Sequence, residues 1–139
     1  LGSGVSLGCF LLGCKTVKQI FAFESTEDDY SSRMPKHNIR SVYRKKLDIH
    51  IGSPFDEAFQ RRFLANHWDL VLLDKEVPYD DYLAYLRLVW PEVSQGGWLV
   101  MDRIYYHKPA GRALRDFCKT YNKYLPVIKS KYGVGLVCK

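Results

Sequence analysis

Four short apolar runs constrain this chain more than any other feature: Ile20-Phe21-Ala22-Phe23, Leu47-Asp48-Ile49-His50-Ile51, Asp69-Leu70-Val71-Leu72-Leu73 and Gly97-Trp98-Leu99-Val100-Met101. Each has the length of one strand, and they stop at Glu24, Gly52, Asp74 and Asp102 respectively. Runs such as Leu70–Leu73, with no polar residue interposed, indicate strands covered on both faces, as in a parallel sheet. Helical periodicity fills the intervals. Phe55, Ala58, Phe59, Arg62 and Phe63 share one face, Tyr82, Tyr85, Leu86 and Val89 a second, and Leu114, Phe117, Cys118 and Tyr121 a third. Gln95-Gly96-Gly97 reads as a tight turn from helix into strand. Val127-Ile128 and Val134–Val137, around Tyr132-Gly133, read as a closing antiparallel hairpin. This order predicts an α/β chain with a Rossmann-like, doubly wound, mostly parallel sheet, expected as one domain over residues 1–139.

Composition narrows the class. The 139 residues can bury a core without disulfide staples, and 47% apolar with 26% charged residues excludes a disordered tail or a coiled coil. No apolar run is long enough for a membrane-spanning helix. Cys9, Cys14, Cys118 and Cys138 form no CxxC pair, which predicts free thiols in a reducing, cytoplasmic setting. A net charge of +6 favours anionic partners. Val5–Cys14 (VSLGCFLLGC) is similar to the apolar core of a secretory signal. Its first cation, Lys15, stands behind it instead of in front, so the favoured expectation is a turn over Gly2–Ser6 and a buried helix over Leu7–Gly13. Residues 25–46 are polar and read as a loop and a solvated helix. Their basic run Arg40–Lys46, with Tyr43 interleaved, offers phosphate contacts.

In an open α/β sheet, ligands bind beyond the carboxyl ends of the strands. Glu24, Gly52-Ser53, Asp74 and Asp102 stand at those ends, and three acids at one crevice exceed what turn chemistry alone requires. Gly2-Ser3-Gly4 would open the first helix, where free N–H groups and missing Cβ atoms admit a close ligand. Glu24 follows Gly2 by 22 residues, the offset at which a carboxylate reaches ribose hydroxyls.

On these residues the chain resembles the class I S-adenosylmethionine-dependent methyltransferases, and within them the macrocin O-methyltransferase-like group. LGSGVS, IFAFES, GSPFDEAF, GRALRDF and above all DLVLLDKEVPYDDYLAYLRLVWPEVSQGGWLVMD carry the likeness, which covers nearly the whole chain. The resemblance implies methyl transfer from S-adenosylmethionine to a hydroxyl of a small molecule or sugar. It implies that Gly2, Ser3 and Gly4 hold the methionine end, Glu24 the ribose, Gly52 and Ser53 the adenine, and Asp74 the amino group or a metal. Metal-dependent relatives place a ligand at Asp102 and follow it with Asp or Asn. Here Arg103 follows, and Glu76 occupies the other acidic position. A cation at that point opposes a divalent ion, so the expectation is metal-free chemistry; Mg²⁺, if used, would sit on Asp74, Glu76 and Asp102. The family's first strand would precede Leu1 in the middle of the sheet, so the sequence is expected to be a piece of a longer protein.

A hydroxyl acceptor must lose its proton. His107, Glu76 and Asp102 are the candidate bases, with Lys75 behind them. Trp68, Trp90 and Trp98 are expected in the core, and Tyr105 and Tyr106 could stack on an acceptor. A second class stays open: a non-catalytic methyltransferase-like module that binds a nucleotide, RNA or a protein. A nicotinamide enzyme fits less well, because Gly8 falls one place late for G-x-G-x-x-G.

Overall fold

The computed structural model describes residues 18–24 and 47–139. The expected Gly2–Gly4 turn, the Leu7–Gly13 helix, Cys9, Cys14 and the Arg40–Lys46 run lie outside them. The chain divides into two compact units, Leu1–Ala65 and Asn66–Lys139.

In the first unit, β1 (Ile20–Glu24) pairs in parallel with β2 (Leu47–Ile51), with Ile20 opposite Leu47 and Glu24 opposite Ile51. Helix α1 (Glu57–Phe63) follows. Its i and i+4 residues Phe59 and Phe63 are buried and stack at 5.3 Å, and Phe21 of β1 packs on both at 5.3 and 6.1 Å. Arg62 pairs with Asp48 of β2 and covers the Phe21 ring, so a cation closes the outer side of this aromatic cluster. Phe55, expected on the helical stripe, precedes the helix and is exposed.

In the second unit, β3 (Trp68–Leu73) pairs in parallel with β4 (Val93–Met101), and β4 pairs antiparallel with β6 (Val134–Cys138), which carries the short β5 (Val127–Ile128). The order is β3-β4-β6-β5, so the expected closing hairpin is present. The parallel pairings read from the sequence are present within each ladder, and the described strands form two sheets. Gln95–Gly97 is not a turn between helix and strand. It lies inside β4 as a bulge: register runs from Trp68–Val93 straight to Leu70–Trp98, and Gly96 takes φ +75° in the excursion. A three-residue 3₁₀ turn, Trp90–Glu92, makes the connection instead.

Helices α2 (Tyr79–Val89) and α3 (Lys108–Thr120) supply the rest of this core. Tyr82, Leu86 and Val89 are buried from α2, and Leu114, Phe117 and Cys118 from α3, as the periodicity predicts. Trp90 meets Phe117 edge-on at 5.3 Å. Helix α3 lies close over β6: a Cβ on Gly135 would stand 2.3 Å from a Leu114 methyl. Trp98 departs from expectation and is exposed, because Leu99 and Met101 take the buried face of β4 and the two-residue period turns Trp98 away. Tyr121 is exposed as well, at the end of α3 where the stripe leaves the helix.

Candidate active site

The first unit brings two of its expected ligand positions to one sheet edge. Glu24 ends β1 opposite Ile51, and Gly52-Ser53 leave β2 one residue further on. Gly52 has φ +144°, a conformation L side chains rarely adopt, and a Cβ there would lie 2.6 Å from Asp56 Oδ2. Asp56 folds back to accept the Ser53 N–H at 2.8 Å, and Ser53 Oγ accepts the Phe55 N–H at 3.1 Å. The turn is therefore internally braced and presents bare backbone at Gly52. Beside it, His50 Nε2 is buried without a hydrogen-bond partner, 3.6 Å from Asp56 Oδ2. The carboxyl end of the β1–β2 pair thus holds position 24, the Gly52 turn and the buried His50 nitrogen. Gly2, Ser3 and Gly4 lie outside the described residues.

The second unit gathers the other expected acids. The parallel pairing of β3 and β4 continues past the strands through Asp102 N–H to the Leu73 carbonyl at 3.1 Å, which sets Asp74 and Asp102 side by side. Arg103 then turns into the left-handed region at φ +58°. Its Nη1 donates to Glu76 Oε1 at 2.7 Å, and its Nε stands 3.7 Å from Asp74 Oδ1 and 3.9 Å from Asp102 Oδ2. One guanidinium thus meets all three carboxylates, and the hydrogen bond to Glu76, with the charges of Asp74, Glu76 and Asp102, raises its pKa further. Asp74 is the buried member, its side chain 5% exposed. Among the described residues no group of three or more His, Cys, Asp and Glu side chains is placed to hold a metal ion.

His107 is the residue just before α3, at its N-cap, and its N–H donates to the Arg103 carbonyl at 2.8 Å. The loop between them is pinned from outside by Ile104 N–H to Gly133 O and Tyr105 N–H to Tyr132 O. The His107 ring lies against Tyr82, whose hydroxyl is 3.3 Å from Nδ1. That hydroxyl donates to the Lys75 carbonyl. Where His107 Nδ1 carries the ring proton, that hydroxyl can accept it, and Nε2 is then the ring nitrogen left open. Burial raises the Tyr82 pKa and the charges of Glu76 and Asp74 add to it, while a hydrogen bond with the Val77 backbone and the charge of Arg103 oppose it, so the phenol is neutral. Sequence reasoning placed Tyr82 only on a core stripe. The available signal was that a tyrosine on such a stripe must still satisfy its hydroxyl. Asp56, the brace of the Gly52 turn, had no such signal.

The fold is of the Rossmann-like α/β class. The model of a family described as a methyltransferase domain matches residues 1–104, and the chain belongs to that family. Among solved structures, the chain is similar to an O-methyltransferase from Bacillus cereus in complex with S-adenosylhomocysteine: 14% identity, TM-score 0.74, 99% of this chain and 70% of that one. It is similar to TomG of Streptomyces achromogenes, an O-methyltransferase of tomaymycin synthesis in complex with S-adenosylmethionine: 12% identity, TM-score 0.72, 98% and 68% coverage. A putative caffeoyl-CoA O-methyltransferase from Staphylococcus aureus matches at 14% identity and TM-score 0.73, with 99% and 72% coverage. At these identities the likeness is one of fold. A search of curated proteins finds no match.

Proposed function

We propose that the chain is the cofactor-binding and catalytic part of an S-adenosylmethionine-dependent O-methyltransferase of the macrocin-like group, acting on a hydroxyl of a small molecule or sugar without a metal ion. The observation that carries the reading is the Arg103 guanidinium set among Asp74, Glu76 and Asp102 at the ends of two parallel strands. When bound, S-adenosylmethionine supplies a methyl group on a sulfonium, open to in-line attack. Glu24 accepts hydrogen bonds from the ribose, Gly52 and Ser53 lie against the adenine, and Gly2, Ser3 and Gly4 hold the methionine end. Asp74 receives the amino group. Arg103 takes over the charge balance that a divalent ion would provide among three carboxylates, and so fixes their positions. His107 Nε2, with its tautomer set by Tyr82, accepts the proton of the attacking hydroxyl. Glu76 and Asp102, both engaged by Arg103, orient that cation, and the base role falls to His107.

Calorimetric titration with S-adenosylmethionine tests the reading. The chain should bind it, and Glu24→Ala should weaken binding by about 1.5–3 kcal/mol, the worth of hydrogen bonds to a charged group. Methyl transfer should survive EDTA. Unchanged affinity in Glu24→Ala would remove the ribose role, and loss of transfer in EDTA with recovery in Mg²⁺ would remove the metal-free account. Binding of the cofactor with no turnover on any hydroxyl acceptor would favour a binding module.

A further inference from the structure

The loop that carries Arg103 borders a second feature, which the methyl-transfer reading leaves unused. Tyr105, two residues beyond Arg103, lines an open cleft of about 480 Å³ together with Tyr79 of α2 and Lys108, Arg112 and Arg115 of α3. Among the described residues no carboxylate lines it. Arg112 stacks over the Tyr79 ring at 4.6 Å, and its Nε stands 3.8 Å from Asp116, which also accepts the Tyr79 hydroxyl at 2.9 Å. Asp116 thus offsets one of the three cations. Among the described residues, Lys108 and Arg115 have no acidic partner. The first turn of α3 carries no acid, and Lys108 adds its charge to the positive end of the helix, where an anion is otherwise favoured. The wall is firm: Tyr105 lies so close over Gly133 that a Cβ there would meet its ring at 2.5 Å, while the ring remains half exposed to the cleft side chains and solvent.

We infer that this cleft is a binding site for a phosphate monoester of a small cyclic molecule. Three cations against one carboxylate leave two positive charges, which matches a phosphate dianion better than a single carboxylate. Two guanidinium forks and one ammonium suit its three terminal oxygens. The tyrosine rings provide apolar contact for the body of the ester. The volume accommodates both parts, at the lower end of the usual range for small-molecule sites. The site is tested independently of the methyl-transfer assignment: the proposed function gives its cations no role, and Tyr105, expected from the sequence to stack on an acceptor, is not varied.

The test uses the full chain without S-adenosylmethionine, titrated by calorimetry with phenyl phosphate, inorganic phosphate and benzoate. Phenyl phosphate should bind at least about tenfold more tightly than benzoate and several-fold more tightly than inorganic phosphate, with affinity falling as salt rises. Arg115→Ala and Lys108→Ala should each weaken it about five- to tenfold, while Lys129→Ala, remote in sequence from the cleft, should leave it unchanged. Both cleft variants alter exposed side chains, so unchanged thermal unfolding confirms that the folded chain is being titrated. Benzoate binding as tightly as phenyl phosphate, or equal effects of Arg115→Ala and Lys129→Ala, would overturn the site. Inorganic phosphate binding as tightly as phenyl phosphate would overturn the ester. Because no cofactor or turnover enters, failure here leaves the methyl-transfer reading standing, and failure of that reading leaves this result unchanged.

Discussion

Tyr82 has one proton to give, and the Lys75 carbonyl takes it. Under the proposed function this makes a division of labour, with His107 as the base and Tyr82 positioning it. His107→Ala should therefore lower kcat by about 100-fold or more, the usual worth of a general base. Tyr82→Phe should cost less, about 5- to 20-fold, because Nε2 remains but both tautomers become accessible. A purely structural role for Tyr82 would lower activity uniformly with pH, whereas the positioning role shifts the acid limb of the kcat profile, and ¹⁵N spectra of the His107 ring should show the Nδ1-protonated form giving way to a mixture. The Arg103 cluster makes a second test at this scale. Arg103→Asp replaces the bridging cation by a carboxylate beside Asp74, Glu76 and Asp102. The variant should acquire a Mg²⁺ affinity measurable by calorimetry where the parent shows none. Equal Mg²⁺ binding by both would mean that the guanidinium does not stand in for an ion. Asp74 and Asp102 were legible from strand-end position, and Glu76 and Arg103 from the family resemblance, which marks both as departures from its pattern. What the sequence could not show is that Arg103 reaches all three, because that depends on a left-handed backbone at a residue with no preference for it.

Among the elements, α3 is the one whose placement decides the site, since it starts just after His107 and rests on β6. Gly111 fixes its approach. A Cβ at this position would lie 2.2 Å from the Ile104 carbonyl oxygen, a backbone atom that the loop's hydrogen bond to Gly133 holds in place. In an open helix Gly→Ala gains about 1 kcal/mol. Here the clash reverses the sign, and Gly111→Ala should lose about 1–3 kcal/mol, the usual cost of overpacking. A lower urea midpoint at unchanged m-value would show it, and a raised midpoint would refute the close approach. The strands and helices themselves were legible because apolar period is a local property. The Gln95–Gly97 segment was not. A glycine pair reads equally as a turn or a bulge, and only the pairing of Trp68 with Val93 and of Leu70 with Trp98 decides between them. Trp98 failed for a related reason: an unbroken apolar run does not say which of its faces is the better covered, and Leu99 and Met101 had already taken that face.

At the scale of the whole molecule, burial raises the acid groups Cys118, Tyr82 and Tyr85 on helices α2 and α3, and these bear on how stability responds to alkali. Burial pushes the Cys118 thiol up to about 11 from an ordinary 9.0, and Tyr82 is raised as well. In the folded chain Cys118 keeps its proton between these two values while in the unfolded chain it ionises. The unfolded state then binds fewer protons, and unfolding free energy must fall as pH rises. The contribution is complete below pH 9, begins to be lost there, and is gone once pH passes about 11. Two pKa units correspond to about 2–3 kcal/mol at most, and the raised tyrosines Tyr79, Tyr82 and Tyr85 add a further decline above pH 10. Urea unfolding at pH 7, 9 and 10.5 should therefore show a midpoint that is steady and then drops. Cys118→Ala leaves a small cavity and lowers the midpoint at pH 7, but it removes the thiol that titrates, so the loss between pH 9 and 10.5 should shrink by about half or more. Cys138 is exposed and provides the control, because Cys138→Ala should leave the slope unchanged. An alkaline decline of the same size in Cys118→Ala would show that the thiol does not carry it.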